Sequence, residues 1–331
     1  MQEEDNAQWG LVYALVLDGK GGARHIPRTE LDTLELHSHE SLWLHWDRSH
    51  PQAQTWLRGS SGLSDFSCDL LLEENTRPRL LTLPNNELLL FLRGVNLNPG
   101  AEPEDMVSLR IFGSSQRVIS LRLRRLRAID EMLNDFEQGD GPKDPAELIL
   151  YLAQNLTLKV QDLIGDLSEI VDDEEDKIDA DERYTPEHGA ILPIRRRAAG
   201  LRRFLAPQRD IFGQLARTKI PWFSSDVLDY WNELNNSLTR YLEELELTRE
   251  RVGLVLEAVD RRMSERMSRI MYRFGVITGI FLPITFLTGL LGINVGGVPF
   301  SNNPWGFPVV CSLMVVIAVV QWWFYRRLQW L

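Results

Sequence analysis

The sequence predicts an α+β cytoplasmic domain followed by a long helical stalk and two C-terminal transmembrane helices. Three observations predict it. Short apolar or alternating segments separated by turn residues fill the first part of the chain. A proline-free stretch before Pro283 carries a 3.5-residue apolar period. Two uncharged apolar runs then stand near the end, each close to the ~20 residues that cross a hydrocarbon core.

Residues 1–144 read as a small sheet covered by helices. Gly10 to Leu17, Ser41 to Trp46, Glu87 to Leu92, Val107 to Phe112 and Val118 to Leu123 have strand character, and Pro51 to Leu57 reads as helix. Residues 145–223 read as a helical cytoplasmic region with amphipathic helices over Pro145 to Val171 and Arg195 to Leu215. An acidic stretch, Asp172 to Glu182, is expected to interrupt them as a solvated loop or helix face, with a cation sensor as the alternative.

The stalk helix, residues 224–273, begins at an N-cap serine, Ser224 or Ser225. Val227, Trp231, Leu234, Leu238, Tyr241, Leu245, Thr248, Val252, Val255 and Val259 alternate steps of four and three, the seam of a coiled coil. Met263, Met267, Met271, Phe274, Thr278, Leu282, Thr285 and Gly289 continue that seam into the first apolar run. Residues 274–291 and 307–325 are the two spans, joined by an external loop over 292–306 and followed by a cytoplasmic tail, 326–331. Arginines 261, 262, 266, 269 and 273 precede the first span, Arg326 and Arg327 follow the second, and the loop carries no ionisable group. Both termini are therefore expected in the cytoplasm. The N-terminal MQEED is acidic and shows no signal-peptide pattern.

Composition narrows the function. With 36 Lys plus Arg against 47 Asp plus Glu, the net charge of −11 argues against nucleic acid as a partner, whose phosphates demand a basic surface. Cys68 and Cys311 form neither a disulfide framework nor a zinc-finger spacing. No Gly-rich phosphate loop, H-E-x-x-H pair or nucleophile elbow is present, so no enzyme and no resident cofactor is expected.

Two helices cannot enclose water, so transport requires several copies around one axis. Thr278 and Thr285, seven apart on the seam, together with Thr288 could offer oxygens to a hydrated ion, or bond back to their own helix. Met271 and Phe274 are candidate apolar constrictions, and Leu282 and Gly289 complete the pore-lining set. Glu257 and Asp260 are candidates for cytoplasmic ion binding, or a solvated helix face. His37 and His39 could share one face of an extended segment as metal ligands, with His45 and His50 near in sequence; surface histidines are the alternative.

Gly292-Ile293-Asn294, immediately after the first span, changes the balance. Here the chain resembles the CorA family of two-span divalent-cation transporters, whose signature at this place is Gly-Met-Asn. Isoleucine for methionine, and the non-acidic loop VGGVPFSNNPWG, are similar to the zinc-transporting branch. So are Thr76-Arg77-Pro78-Arg79, Ala206 to Asp210, Pro221-Trp222 and Phe286 to Leu290.

The resemblance implies a funnel-shaped homopentamer in the lipid of a bacterial inner membrane. It further implies a pore-lining stalk, Gly292, Ile293 and Asn294 as selectivity filter, and Zn²⁺ as main cargo among Co²⁺, Ni²⁺, Cd²⁺ and Mg²⁺. A magnesium, cobalt or nickel channel of the same architecture and a membrane-tethered sensor remain alternatives. Neither span holds an ionisable residue, so the proton coupling that the zinc branch suggests would need groups outside the bilayer. Uptake is expected from an inside-negative potential, worth about 4.6 kcal/mol per divalent ion at 100 mV.

Overall fold

Leu88 to Leu92 reads LLLFL and every one of these side chains is buried, the pattern of a strand covered on both faces. In the computed structural model, which describes residues 9–181, 184–186, 188–293 and 303–327, this strand lies in a seven-stranded sheet. The strands are β1 (Leu11–Leu17), β2 (Ala23–His25), β3 (Ser41–Asp47), β4 (Arg79–Thr82), β5 (Leu88–Gly94), β6 (Val107–Gly113) and β7 (Arg117–Arg122). Their order is β2-β1-β3-β7-β6-β5-β4, with β3 and β7 parallel and the other pairs antiparallel. The chain divides into two units, Met1–Val255 and Leu256–Leu331.

Within the first unit, helices α1 (Pro51–Gly59) and α2 (Asp65–Leu72) share one core with the sheet, in which Trp46 stacks on Trp56 at 4.4 Å. Helix α3 (Arg127–Gln138) leads to α4 (Pro145–Ala180). Asp144 caps α4 by accepting from the amides of Ala146 and Glu147, with Pro145 in the first turn. Gly94 and Gly113, at the ends of β5 and β6, leave room for Leu156 and Ile149 of α4, which a Cβ at either glycine would strike. Helices α5 (His188–Leu215) and α6 (Ser225–Leu291) follow, with Ser224 Oγ accepting from Val227 N at the start of α6. Helix α7 spans Gly306–Arg327.

Two expectations need correction. The acidic stretch takes the second of its two expected forms, an exposed helix face, but does not interrupt α4, which continues to Ala180 because Val171 and Ile178 extend its buried face. Three of its carboxylates are engaged by protein cations: Arg251 of α6 pairs with Asp172 and Glu175, and Lys177 with Glu174 at 2.8 Å. Nor is the upper seam a coiled coil between copies. From Val227 to Val255 each seam residue is buried, and α6 packs on α4 and α5 of its own chain. Trp231 lies 5.2 Å from Phe212, Tyr241 Oη donates to Gln161 Oε1 at 2.9 Å, and Glu246 pairs with Arg202 at 2.6 Å.

His45 is buried in β3, its Nδ1 2.7 Å from Ser120 Oγ, which also accepts from Trp43 Nε1. Burial, aided by the Arg122 charge, pushes the imidazole down from 6.5 to about 3. The neutral ring's contribution to stability is therefore complete above pH 6.5 and lost as pH falls toward 3, where the unfolded chain binds the extra proton. We expect the melting temperature to fall with pH across this window, and His45→Gln to make that slope shallower; an unchanged slope would contradict the assignment.

Candidate functional site

In the second unit the lower part of α6 and α7 form a pair. Both are long and apolar enough to cross a membrane. Between Phe274 and Leu290 the half-buried residues of α6 are Val276, Gly279, Ile280, Pro283, Ile284 and Leu287, and all others are exposed. Their spacing of three and four defines one stripe, and α7 carries its counterpart through Cys311, Met314, Ala318, Gln321 and Tyr325.

The closest approach centres on Gly279, where a side chain would run into the Tyr325 hydroxyl. Pro283 has no N–H to give the carbonyl four residues back, which is that of Gly279. Gln321 Nε2 donates to this oxygen instead, at 3.2 Å. In hydrocarbon a freed backbone carbonyl needs such a partner. Interhelical hydrogen bonds in membranes average ~0.6 kcal/mol and reach ~1.7, so Gln321→Leu is expected to lower the melting temperature of the purified protein modestly. In a Pro283→Ala background, which restores the helical donor, the same change should cost less. Additive effects in a thermal-melt double-mutant cycle would contradict this pairing.

Predicted pore residues lie on the other side of α6. Met271, Phe274 and Leu282 are 63%, 62% and 67% exposed, and Thr278, Thr285 and Gly289 are exposed with them. At about 100° per residue their stripe is rotated ~180° from the one that meets α7. The seam is thus buried through Val259 and uncovered from Met263 onward. Thr288 bonds back to its own helix, Oγ1 donating to Thr285 O at 2.9 Å.

Gly292 closes the last turn of α6 by donating to Thr288 O at 2.9 Å. Glycine is required by this close approach, since a Cβ would lie 2.9 Å from the same oxygen, and not by a left-handed turn, because its φ is not positive. Ile293 is 49% exposed, and Asn294 lies outside the described residues. At the far end of α7, Arg326 and Arg327 stack over Trp322 and Trp323 at 5.3 and 5.4 Å, an arrangement suited to a headgroup layer.

The remaining candidates are dispersed. Glu257 and Asp260 are exposed on α6. His37 and His39 stand in a turn rather than an extended segment, with rings stacked 5.9 Å apart, while His45 is buried and His50 Nδ1 accepts from Gln52 N to cap α1. Among the described residues no three His, Cys, Asp or Glu side chains gather in a metal-binding group. Sequence reasoning missed Gly279 and Gln321; an amide inside an apolar run, beside a proline in the facing one, was the available signal.

A family model described as "CorA-like Mg2+ transporter protein" matches residues 38–327. The chain belongs to the CorA family. Among curated CorA-type relatives, the divalent cation transporter CmaX of Pseudomonas aeruginosa is 58% identical over 328 residues, 99% of each chain. The zinc transport protein ZntB of Pectobacterium carotovorum is 36% identical, covering 97% of this chain and 96% of its own.

The solved full-length CmaX matches with a TM-score of 0.88 at 58% identity, over 97% of this chain and 98% of that one. The CorA magnesium transporter of Methanocaldococcus jannaschii, at 18% identity, matches over 97% and 99% with a TM-score of 0.80 and shares the fold. The α/β unit, the long helix and the two apolar C-terminal helices are the architecture common to this CorA-family chain and these structures.

Proposed function

We propose that this chain transports divalent cations, Zn²⁺ foremost, through a water-filled axis surrounded by the lower halves of α6 in a homopentamer of the bacterial inner membrane, with both termini cytoplasmic. One observation carries the reading: the seam is covered by the chain's own helices through Val255 in the first unit, and in the second it is open from Met263, opposite to α7, through the whole apolar span. Copies of the chain are the natural cover for the open part. Met271 and Phe274 then narrow the path by dewetting, Thr278, Leu282, Thr285 and Gly289 line it, and Glu257 and Asp260 face ions entering or leaving on the cytoplasmic side.

At the outer mouth stand Gly292, Ile293 and Asn294. The C-terminal end of each α6 carries about −0.5 charge, so converging copies concentrate cations without acidic side chains. The Asn294 carboxamide is a neutral acceptor that holds an ion's water shell without stripping it, which lets the ion leave. The relatives' names support divalent cations, and the ZntB similarity favours zinc.

The test is flux across a panel of divalent ions in proteoliposomes, with and without a pH gradient. Zn²⁺ flux that excess Mg²⁺ fails to suppress is expected, with inward movement enhanced by the gradient if protons are coupled. Mg²⁺, Co²⁺ or Ni²⁺ outrunning Zn²⁺ would assign the cargo to them. Thr285→Leu removes an oxygen from the path and should slow transport severalfold; an unchanged rate would place it off the pathway.

A further inference from the structure

The unit Met1–Val255 contains a cavity of about 820 Å³ that the transport reading does not use. Seven arginines and four acidic residues line it, in a chain whose net charge is −11. Three of the arginines sit deep. Arg110 on β6 is 1% exposed, and Arg48 and Arg93 are half-buried.

Their hydrogen bonds all end on carbonyl oxygens. Arg110 donates to Leu71 O at 2.6 Å, Arg48 to Leu72 O at 3.0 Å and Glu73 O at 3.2 Å, and Arg93 to Met106 O at 3.0 Å and to Thr76 O. Carbonyl dipoles satisfy N–H groups but supply no full countercharge, and a buried charge is costly without one; the carboxylates of Glu74 and Asp47 by Arg48, and of Glu73 by Arg110, act only from beyond ion-pair distance. Among the described residues none of the three forms an ion pair, and the buried Nε atoms of Arg48 and Arg110 have no partner. Burial first, and then the charges of Arg48 and Arg93, lower Arg110 from 12.5 to about 9 against the opposing pull of Glu73.

The rim strengthens this field. Arg124, Arg196 and Arg203 are exposed at the opening, Arg203 lying over the Phe204 ring at 5.5 Å with Arg93 over the same ring at 5.0 Å. Among the described residues lining the cavity, Arg197 is the arginine that forms an ion pair, with Glu104 at 3.1 Å. Guanidinium groups present planar forks of donors that match tetrahedral oxyanions, and a cavity of this size holds a small molecule.

We propose that this cavity binds a multiply charged oligophosphate, either a bare chain or that of a nucleoside triphosphate, with Arg48, Arg93 and Arg110 at its floor and Arg196 and Arg203 closing on it from α5. A single carboxylate would leave the surplus charge unmet, whereas an oligophosphate supplies several charges within a few ångströms.

Calorimetric titration of the full-length protein in detergent at low ionic strength, with tripolyphosphate, magnesium-free ATP and sulfate, tests the site. Saturable binding of tripolyphosphate or ATP is expected, weakened at least about tenfold in an Arg196→Ala/Arg203→Ala variant that retains its circular dichroism. Binding should be unchanged in Arg240→Ala, whose exposed arginine lies elsewhere on α6. Equal affinity for the two ligands would assign the bare chain, and tighter ATP binding a nucleotide; both uphold the proposal. No binding of either, displacement by sulfate at equal ionic strength, or affinity untouched by the double variant would overturn it.

Discussion

Asn294→Ala is expected to abolish most divalent-cation flux while leaving the protein folded. The substitution removes one carboxamide oxygen per copy at the point where the proposed path opens. A hydrogen bond to a charged partner contributes about 1.5–3 kcal/mol, so its loss from a rate-limiting capture step lowers flux roughly 10- to 100-fold. Zn²⁺ uptake into proteoliposomes reads the effect, with circular dichroism and detergent melting temperature as controls for folding. Wild-type flux in the variant would remove Asn294 from the ion path. It would favour instead a chain whose spans anchor a sensing domain.

The fold was legible wherever burial is continuous along the chain. Strands such as Leu88–Gly94 and Val107–Gly113 announce themselves because helices cover both of their faces, and the period of α6 is unmistakable over the turns from Val227 to Val259. Ala23–His25 and Arg79–Thr82 were not, being short outer strands with little buried surface of their own. Period alone also could not say who covers the seam. The same 3.5 repeat meets α4 and α5 in its upper part and is bare in its lower part, a difference set by the tertiary fold and not by the period.

At the site, the tripeptide Gly292-Ile293-Asn294 was found by resemblance and the seam residues by spacing. Gln321 required knowing that Pro283 frees the Gly279 carbonyl in a facing helix. The arginines of the cavity come from several elements between Arg48 and Arg203, so no local pattern could have gathered them.

The two halves of the seam should respond oppositely to one and the same substitution. Leu238→Ala deletes a side chain with 0% exposure, packed within the first unit, and core Leu→Ala changes cost about 2–5 kcal/mol. At about 2–4 °C per kcal/mol for a unit of this size, its melting temperature should fall by ~4–20 °C. Leu282→Ala, at a position 67% exposed in the single chain, removes nothing that the chain itself has buried. Its thermal unfolding in the first unit should match wild type, and the change should appear instead in cation flux and in the stability of the assembly toward dissociation by detergent. Comparable melting losses in both variants would mean that the lower seam is covered within the chain, and would remove the reason to place an ion path against it. A silent Leu282→Ala in flux and assembly alike would turn that face toward lipid.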